Sequence, residues 1–286
     1  MTATASRTTD CLDHTLTLTA DNLATYDDAG YWISPKLIDD ETIAALREAH
    51  DRLWAGDFDG EGWYPQHPAS VRASYDPHAV RKCDNGWWVN DAVQAMVTAE
   101  VLGSVGRQLM RCDRVRLWHD QVIYKPPTGT AGNAGNIGWH QDCGYWKAAD
   151  TTNMVTAWIA LQDTDLANGG MRSIAGSQKW GLIEDSDTFF DQDLEGLHDK
   201  YSHLGEWRDE PCVLPAGHAS FHHGLCFHGS GPNTTDQPRL SIVAHLMPDG
   251  TAYTGTHCHA NVPLLGPRPT PGTPWTDPIC PVVGEG

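Results

Sequence analysis

The sequence has few basic residues. Its 286 residues include 19 Lys and Arg against 37 Asp and Glu, which gives a formal net charge of −18 at pH 7. Nucleic acids and anionic membrane surfaces attract Lys and Arg, so this balance argues against both as partners. It is compatible with a cationic or aminated small-molecule substrate, and also with an acidic surface that only interacts with solvent.

Long apolar runs and closely spaced cysteine pairs are missing too. No apolar stretch approaches the roughly 18 residues that span a bilayer, so we expect no membrane segment. The N-terminus lacks a basic patch followed by an apolar core, so we expect no signal peptide. None of the eight Cys forms a CxxC pair. We therefore expect buried, reduced thiols in a cytoplasmic protein.

Several catalytic signatures are absent as well. The sequence contains no HExxH pair, GxSxG elbow, Walker A loop or GxGxxG fingerprint. These absences disfavour a zinc hydrolase of the helical His-pair type, a serine hydrolase, a P-loop enzyme and a dinucleotide-binding enzyme.

Helical patterns come first along the chain, and strand patterns follow. Residues 40–54 and 91–110 predict amphipathic helices, the first with Ile43, Leu46, His50 and Leu53 on one face. Beyond residue 114, short runs rich in β-branched and aromatic residues alternate with polar turns. We predict strands over 115–125, 154–161, 171–175, 212–215, 219–228 and 240–247. This order indicates a mainly β fold with flanking helices, either a sandwich or a barrel.

We expect one domain over residues 1–286. Residues 1–20 are expected to be flexible, 21–110 to form a helical flank, 111–248 the β core and 249–286 an irregular tail. The glycine-rich stretch 127–138 predicts a loop, and 184–210 an acidic, solvated insertion with some helix. His259, in the His257-Cys258-His259 sequence of the tail, is interpreted as a surface or structural residue, with a tail that folds over the cavity as the alternative.

A candidate metal site begins at Trp139-His140-Gln141-Asp142, which we predict to start a strand. Residues i and i+2 of a strand share a face, so His140 and Asp142 can bind one ion while Gln141 points away. Two His and one carboxylate are typical of non-haem Fe(II) oxygenases. The candidates for the third ligand are His218, His222, His223 and His228. His222 and His228 share strand parity, and we favour His228 because it ends its predicted strand at a turn.

Arg239 lies in the next predicted strand. We expect a hairpin to bring it back beside the metal. A buried Arg in an acidic protein needs a carboxylate partner, and a bidentate contact suits a dicarboxylate cosubstrate.

Taken together, these motifs resemble the phytanoyl-CoA dioxygenase family. The resemblance rests on Trp139-His140-Gln141-Asp142, Thr156-Ala157-Trp158-Ile159-Ala160-Leu161, Asn168-Gly169-Gly170, Gly176-Ser177 and His228-Gly229-Ser230-Gly231-Pro232-Asn233 with Arg239. It implies a double-stranded β-helix, the cupin-like jelly roll. It implies that iron is held by His140, Asp142 and His228. It also implies cosubstrate contacts from Arg239, Ser230, Trp158, Gln121 and Lys125.

The resemblance further implies an enzyme that uses Fe(II), 2-oxoglutarate and O2. Such an enzyme oxidises an unactivated C–H bond and releases succinate and CO2. Halogenating relatives carry a small residue where Asp142 stands, so hydroxylation or a related oxidation is favoured. Few basic residues argue against a long acyl-CoA substrate, and we expect a small or medium metabolite of a biosynthetic pathway. The alternative is a non-catalytic metal-binding jelly roll, such as a sensor or an inactive paralogue.

Overall fold

The computed structural model describes residues 12–59, 80–128, 135–256 and 259–284. Helices occupy the N-terminal part and one later insertion: α1 (Ala20–Ala29), α2 (Asp40–Ala55), α3 (Asp91–Val97), α4 (Glu100–Met110) and α5 (Leu194–Tyr201). The strands are β1 (Tyr31–Ile33), β2 (Arg81–Asp84), β3 (Val115–Lys125), β4 (Ile137–His140), β5 (Val155–Ala160), β6 (Met171–Ile174), β7 (Asp209–Pro211), β8 (Ala219–His223), β9 (His228–Ser230) and β10 (Arg239–Pro248). Within the described ranges, each helix is too short or too polar to serve as a transmembrane span.

The strands form two antiparallel sheets. The larger sheet has the order β1-β8-β5-β10-β3-β2, and the smaller one has the order β4-β9-β6-β7. From β4 to β10 the chain passes back and forth between the sheets, while β6 and β7 pair within the smaller sheet. This winding forms a double-stranded β-helix, so the predicted fold class is confirmed.

The larger sheet has one face against the helices and one face on a cavity. Successive side chains of a strand point to opposite faces, so the residues of each strand alternate between the helix-facing core and the cavity. On β3, Val122 belongs to the core shared with the helices, whereas Gln121 and Ile123 line the cavity. On β10, Ile242 packs in that core and Val243 faces the cavity. The helical flank thus covers one side of the sheet and leaves the other for a site.

Helix α2 confirms the helix predicted over 40–54. Asp39 caps its N-terminus by accepting a hydrogen bond from the Thr42 N–H at 2.8 Å, and Gly56 ends it with a φ of +77°. The predicted apolar face is buried: Ile43, Leu46, His50 and Leu53.

The helix predicted over 91–110 is instead two helices, α3 and α4. The chain leaves the helical conformation at Ala99, where ψ is 140°. The Gln94 carbonyl accepts from both the Thr98 N–H at 3.1 Å and the Thr98 hydroxyl at 2.7 Å, so the last turn of α3 ends at Thr98. Neither Gly nor Pro marks this break, so the sequence gives no sign of it.

The segment before α1 is packed where the structure describes it, although we expected residues 1–20 to be flexible. Leu12 and Leu18 are buried in the core with the helices. Thr19 caps α1 by accepting from the Asn22 N–H. Apolar burial and a cap therefore fix residues 12–20, while residues 1–11 lie outside the described part.

The single strand predicted over 219–228 is two strands, β8 and β9. A turn separates them, in which the Cys226 N–H donates to the His223 carbonyl at 2.7 Å. The prediction of a strand over 212–215 was also wrong. Leu214 forms only an isolated bridge with Thr164, because the ladder does not continue on either side.

The C-terminal segment packs against the larger sheet. Trp275, Cys280 and Val283 are buried, and the Val283 N–H donates to the Val115 carbonyl at 2.9 Å. The segment is mostly irregular and contains one short 3-10 turn, Val262–Leu265. Its path past β3 brings residue 259 to the cavity.

Candidate metal centre and its cavity

Three side chains of ligand type meet at β4 and β9. The potential ligand atoms of His140, Asp142 and His228 all lie within 4.8 Å of one another. Asp142 Oδ1 is 3.7 Å from His140 Nε2 and 3.8 Å from His228 Nε2. All three side chains are buried. The structure thus brings together the three residues that the sequence singled out.

The strand predicted to start at residue 139 in fact ends one residue later. β4 stops at His140, and Asp142 begins a 3-10 turn that runs to Gly144. Gln141 between them keeps an extended backbone, with φ −107° and ψ 134°. Residues 140 and 142 therefore still share a side, because a single extended residue is enough for that alternation.

Gln141 points away from the site, as predicted, and its buried amide joins two loops. Its Nε2 donates to the carbonyls of Gly181 and Leu225, both at 2.8 Å. Its Oε1 accepts from the Ile183 N–H at 2.8 Å. A buried amide with these partners holds the backbone of the HxD segment in place.

His228 begins β9, whereas we predicted that it ends a strand. It lies opposite His140 in the β4–β9 pair, and the two ring centroids are 4.2 Å apart. We predicted that His222 and His228 share strand parity. This prediction was wrong, because a turn separates β8 from β9. Of the other three candidates, His222 lines the cavity and contacts Asp142 Oδ2 at 3.2 Å, whereas His218 and His223 are not among the described lining residues.

Backbone carbonyls determine which ring nitrogen of His140 and of His228 carries the proton. The Nδ1–H of His140 donates to the Gly138 carbonyl at 2.7 Å, and the Nδ1–H of His228 donates to the Cys226 carbonyl at 2.9 Å. A carbonyl can only accept, so the proton of each neutral ring is on Nδ1. The Nε2 lone pairs, which face Asp142 Oδ1, are left free for a metal.

Asp142 is oriented by hydrogen bonds to one of its two oxygens. Oδ2 accepts from the Thr156 hydroxyl at 2.6 Å and from His222 Nε2 at 3.2 Å. Oδ1, the oxygen near the two imidazoles, receives neither of these bonds. Oδ1 of Asp142 therefore faces the two imidazoles, while Oδ2 is held by Thr156 and His222.

The charge states of these groups suit a divalent metal. Burial lowers the pKa of His140 and of His228. Burial would raise the pKa of Asp142, but the imidazoles of His228, His222 and His245 hold it well below its usual range. Two neutral nitrogens and one carboxylate oxygen are the donor set of mononuclear non-haem iron. The residues present thus fit this ion.

A cavity of ≈ 200 Å³ lies beside these three residues. The charged residues in its lining are Lys82, Asp84, Asp142 and Arg239. Lys82 Nζ is 3.1 Å from Asp84 Oδ1, so these two charges offset each other. Among the described lining residues, two acidic and two basic side chains therefore balance, although the whole chain is strongly acidic.

Arg239, predicted to bind a carboxylate, lies in the cavity wall with an exposure of 2%. Its Cζ is 4.9 Å from the centroid of the Trp158 ring. Its buried Nε has no hydrogen-bond partner among the described residues. Burial lowers the pKa of Arg239 to about 10, which leaves it cationic at neutral pH. A buried cation with an unused donor is suited to an anionic ligand.

The predicted hairpin between His228 and Arg239 is not present. β9 belongs to the smaller sheet, and β10 lies between β5 and β3 in the larger one. The chain therefore crosses between the sheets. The crossing sets Arg239 opposite Lys125 in the β10–β3 register.

Lys125 is fully buried and reaches toward the cavity. Its Nζ donates to Ser230 Oγ at 2.5 Å and to the Gly169 carbonyl at 3.4 Å. Burial, with a smaller effect from Arg239, lowers the pKa of Lys125 well below its usual range. Gly169 has a φ of +75°, and a Cβ there would lie 2.7 Å from Lys125 Cε. The predicted Asn-Gly-Gly turn thus also makes room for the lysine.

The other predicted cosubstrate contacts converge on the same cavity. Gln121 on β3, Trp158 on β5 and Ser230 on β9 all line it. Lys125 is not in the lining and acts there only through Ser230.

The cavity wall also contains a row of histidines that we did not predict from the sequence. His119 and His245 are register partners on β3 and β10, with ring centroids 4.3 Å apart. His259, which we interpreted as a surface or structural residue, stacks on Trp118 at 4.2 Å and lines the cavity. Strand alternation could have identified His245, which has the same parity as Arg239. No sequence signal places His259, because its position depends on the path of the C-terminal segment.

From their positions in the sequence we expected Trp63, Trp87, Trp88 and Trp146 to lie in or near segments that border the mouth of the active site. Trp146 lines the cavity, but Trp87 and Trp88 pack with the helical core, and Trp63 lies outside the described residues. Phe189 and Phe190 also line the cavity, and Phe190 is 75% exposed. This pair lies in the acidic insertion, which therefore forms part of the cavity rim.

The chain is similar to several known proteins in sequence and in fold. The family model described as Phytanoyl-CoA dioxygenase (PhyH) matches residues 26–241. A probable alpha-ketoglutarate-dependent hypophosphite dioxygenase from Stutzerimonas stutzeri is 25% identical over 181 residues, which cover 62% of this chain and 60% of that protein. Ectoine dioxygenase from Streptomyces avermitilis is 26% identical over 247 residues, covering 79% and 77%. The crystal structure of the epimerase SnoN with Fe3+, alpha ketoglutarate and nogalamycin RO has a TM-score of 0.71 at 23% identity, covers 92% of this chain and 97% of that one, and shows a shared fold.

Proposed function

Because this chain belongs to the phytanoyl-CoA dioxygenase family, we propose that it oxidises an unactivated C–H bond of a small or medium metabolite and releases succinate and CO2. It is a 2-oxoglutarate-dependent non-haem iron dioxygenase, with Fe(II), 2-oxoglutarate and O2 as its cofactors and cosubstrates. One observation carries the proposal. Two neutral imidazoles and one carboxylate meet at the wall of a cavity that also contains an arginine with an unused donor.

The proposed iron ligands are His140 Nε2, Asp142 Oδ1 and His228 Nε2. The support is the set of hydrogen bonds that leaves these three atoms free and facing one another. When bound, the iron with 2-oxoglutarate and O2 supplies the oxidising chemistry. The role of the protein is to orient the ligands, to hold the substrate C–H bond nearby and to keep water out.

The proposed site for the distal carboxylate of 2-oxoglutarate is Arg239, with Ser230 beside it. The free Nε of Arg239 and its buried charge support this assignment, since a guanidinium binds a carboxylate in a planar, bidentate way. Lys125 holds the Ser230 hydroxyl through its Nζ. Trp158 covers one face of the guanidinium, and Gln121 lines the same wall.

The proposed reaction is hydroxylation or a related oxidation. A carboxylate occupies position 142, and Thr156 and His222 hold it in place. As the family resemblance implies, halogenating relatives have a small residue at this position. A fixed carboxylate there favours oxidation without halide.

The proposed substrate class is a small or medium metabolite of a biosynthetic pathway. Ectoine dioxygenase and the epimerase SnoN, which was crystallised with nogalamycin RO, are similar to this chain, and these compounds support this size range. An acyl-CoA is disfavoured because the only basic residues among the described lining residues are Lys82, close to Asp84, and Arg239. A cationic or aminated substrate stays a prediction from the acidic composition alone, since the charged residues described in the lining are two acidic and two basic ones. We place the enzyme in the cytoplasm, a proposal supported by the free thiols of the described cysteines.

Succinate formation tests the proposal most simply. Protein reconstituted without oxygen with Fe(II) and 2-oxoglutarate is exposed to O2, and succinate is measured with a metabolite panel. We expect Fe(II)-dependent succinate and no succinate when Zn2+ replaces Fe(II). Tight metal binding without succinate under any condition would instead support the non-catalytic alternative.

A further inference from the structure

A hydrogen-bonded pair of imidazoles lines the cavity at some distance from the proposed cosubstrate site. His119 and His259 both line it, and His119 is buried. His119 pairs with His245 in the β3–β10 register, whereas Arg239 pairs with Lys125. Arg239 and His245 are six residues apart on β10, which corresponds to roughly 20 Å at a rise of about 3.4 Å per residue. His119 is therefore on the substrate side of the cavity, if Arg239 binds the cosubstrate as proposed.

A backbone amide fixes the protons of this pair. The Asn261 N–H donates to His259 Nδ1 at 3.2 Å, so Nδ1 is an acceptor and the proton of His259 is on Nε2. His259 Nε2 is 3.3 Å from His119 Nδ1 and donates to it. His119 then carries its own proton on Nε2. That N–H has no hydrogen-bond partner among the described residues.

The surroundings keep this donor in place. His259 stacks on the buried Trp118 ring at 4.2 Å, and the ring of His245 lies 4.3 Å from that of His119. Burial lowers the pKa of His119, and it lowers the pKa of His259 to about 3, so both rings stay neutral. The rings of Trp146 and His119 are nearly perpendicular, with centroids 5.9 Å apart. The wall thus combines one fixed N–H donor with the aromatic ring of Trp146, which also lines the cavity.

We infer that His119, held by His259, is a specificity-determining residue that donates a hydrogen bond to an oxygen atom, such as a hydroxyl or carbonyl oxygen, of a ring-containing substrate. An oxygen can accept from the N–H, whereas an ammonium group has no lone pair to offer. The aromatic side chains beside the donor favour a flat ring. This inference rests on the proposed function, and it deepens it by naming a substrate class.

The protonation pattern can be measured without a substrate. Imidazole 15N chemical shifts of the metal-free protein distinguish the two neutral tautomers, and His→Phe variants assign the signals. We expect the Nε2–H form for His119 and His259, and the Nδ1–H form for His140 and His228. A proton on His119 Nδ1 would overturn the inference.

Binding of three matched probes tests the selectivity. Isothermal titration of the protein loaded with Fe(II) and 2-oxoglutarate, without oxygen, compares 2-naphthol, naphthalene and protonated 2-(aminomethyl)naphthalene. We expect 2-naphthol to bind best and to lose roughly three- to tenfold in affinity in His119→Phe, the effect of one hydrogen bond. His119→Gln, which keeps an N–H donor, should recover part of this loss. The exposed His203, changed to Phe, is the matched control and should have no effect.

The binding results either support or overturn the inference. Absence of 2-naphthol binding, equal affinity for the three probes, or an unchanged affinity in His119→Phe would overturn the inference. The proposed function is tested separately by Fe(II)-dependent succinate formation in the wild-type protein. Succinate formation together with failed probe selectivity would leave the oxygenase assignment standing and remove only the role of His119.

Discussion

Thr156 donates a hydrogen bond to Asp142 Oδ2 at 2.6 Å and thereby leaves Oδ1 as the oxygen that faces His140 and His228. Thr156 itself accepts from His245 Nδ1 at 2.8 Å, since its one proton is used on the carboxylate. The orientation of the candidate ligand is thus set from β5 and β10, two strands of the sheet opposite His140 and His228.

Replacing Thr156 with Val keeps the shape and removes the hydroxyl. We expect Fe(II) affinity to fall by roughly tenfold, because supporting hydrogen bonds typically contribute that much to metal binding. Thr156→Ser, which keeps the hydroxyl, is the matched control and should bind iron like the wild type. Anaerobic Fe(II) titration measures the change, and equal affinity in Val and Ser variants would contradict it.

Replacing Arg239 with Lys keeps the charge and loses the planar fork. We expect the KM for 2-oxoglutarate to rise by roughly 10- to 100-fold, the effect of losing a hydrogen bond to a charged group. Iron affinity measured without 2-oxoglutarate should not change, because the hydrogen bonds that orient the three candidate ligands come from other residues. An unchanged KM would rule out Arg239 as the carboxylate partner.

Gly169→Ala should weaken 2-oxoglutarate binding from outside the cavity. The new Cβ would lie 2.7 Å from Lys125 Cε, at a φ that disfavours other residues. Displacement of Lys125 would release Ser230 and raise the KM for 2-oxoglutarate several-fold. Gly250→Ala, also at positive φ but with open space around it, controls for backbone strain alone. Similar KM values in both variants would show that Lys125 has no such role.

Asp120 should make the protein less stable as the pH rises. Burial raises its pKa from 3.8 to about 8, and its Oδ2 is buried without a partner among the described residues. Between these two values the unfolded chain releases the proton and the folded one keeps it, so unfolding becomes easier with increasing pH. Above the folded pKa the effect is constant.

The variant Asp120→Asn removes this titration. Relative to the wild type, its free energy of unfolding should increase steadily from about pH 5 to pH 8 and then level off. Urea denaturation at several pH values measures the difference. A difference between the two proteins that is independent of pH would contradict the shifted pKa.

The sequence was sufficient for the parts of the site that depend on local alternation and residue type. His140 and Asp142 share a side because one extended residue separates them, which holds in any strand-like context. Helix α2 was predictable from its cap and its apolar face. These features need only a few neighbouring residues.

Features that depend on distant parts of the chain could not be predicted. The break at Ala99 has no Gly or Pro signal, and the turn after β8 divides what reads as one strand. Arg239 reaches the cavity by crossing between sheets rather than through a hairpin. His259 reaches it because the C-terminal segment packs on β3, and no local pattern carries that information.

The most direct test concerns His228 and its near neighbour His223. His223 lies outside the cavity lining, and its Nδ1 accepts from the Leu225 N–H at 3.0 Å. Iron content per chain and succinate formation are measured for the wild type, His228→Ala and His223→Ala. We predict one iron per chain and succinate in the wild type, loss of both in His228→Ala, and retention of both in His223→Ala. Iron and succinate retained in His228→Ala but lost in His223→Ala would contradict the proposed metal centre.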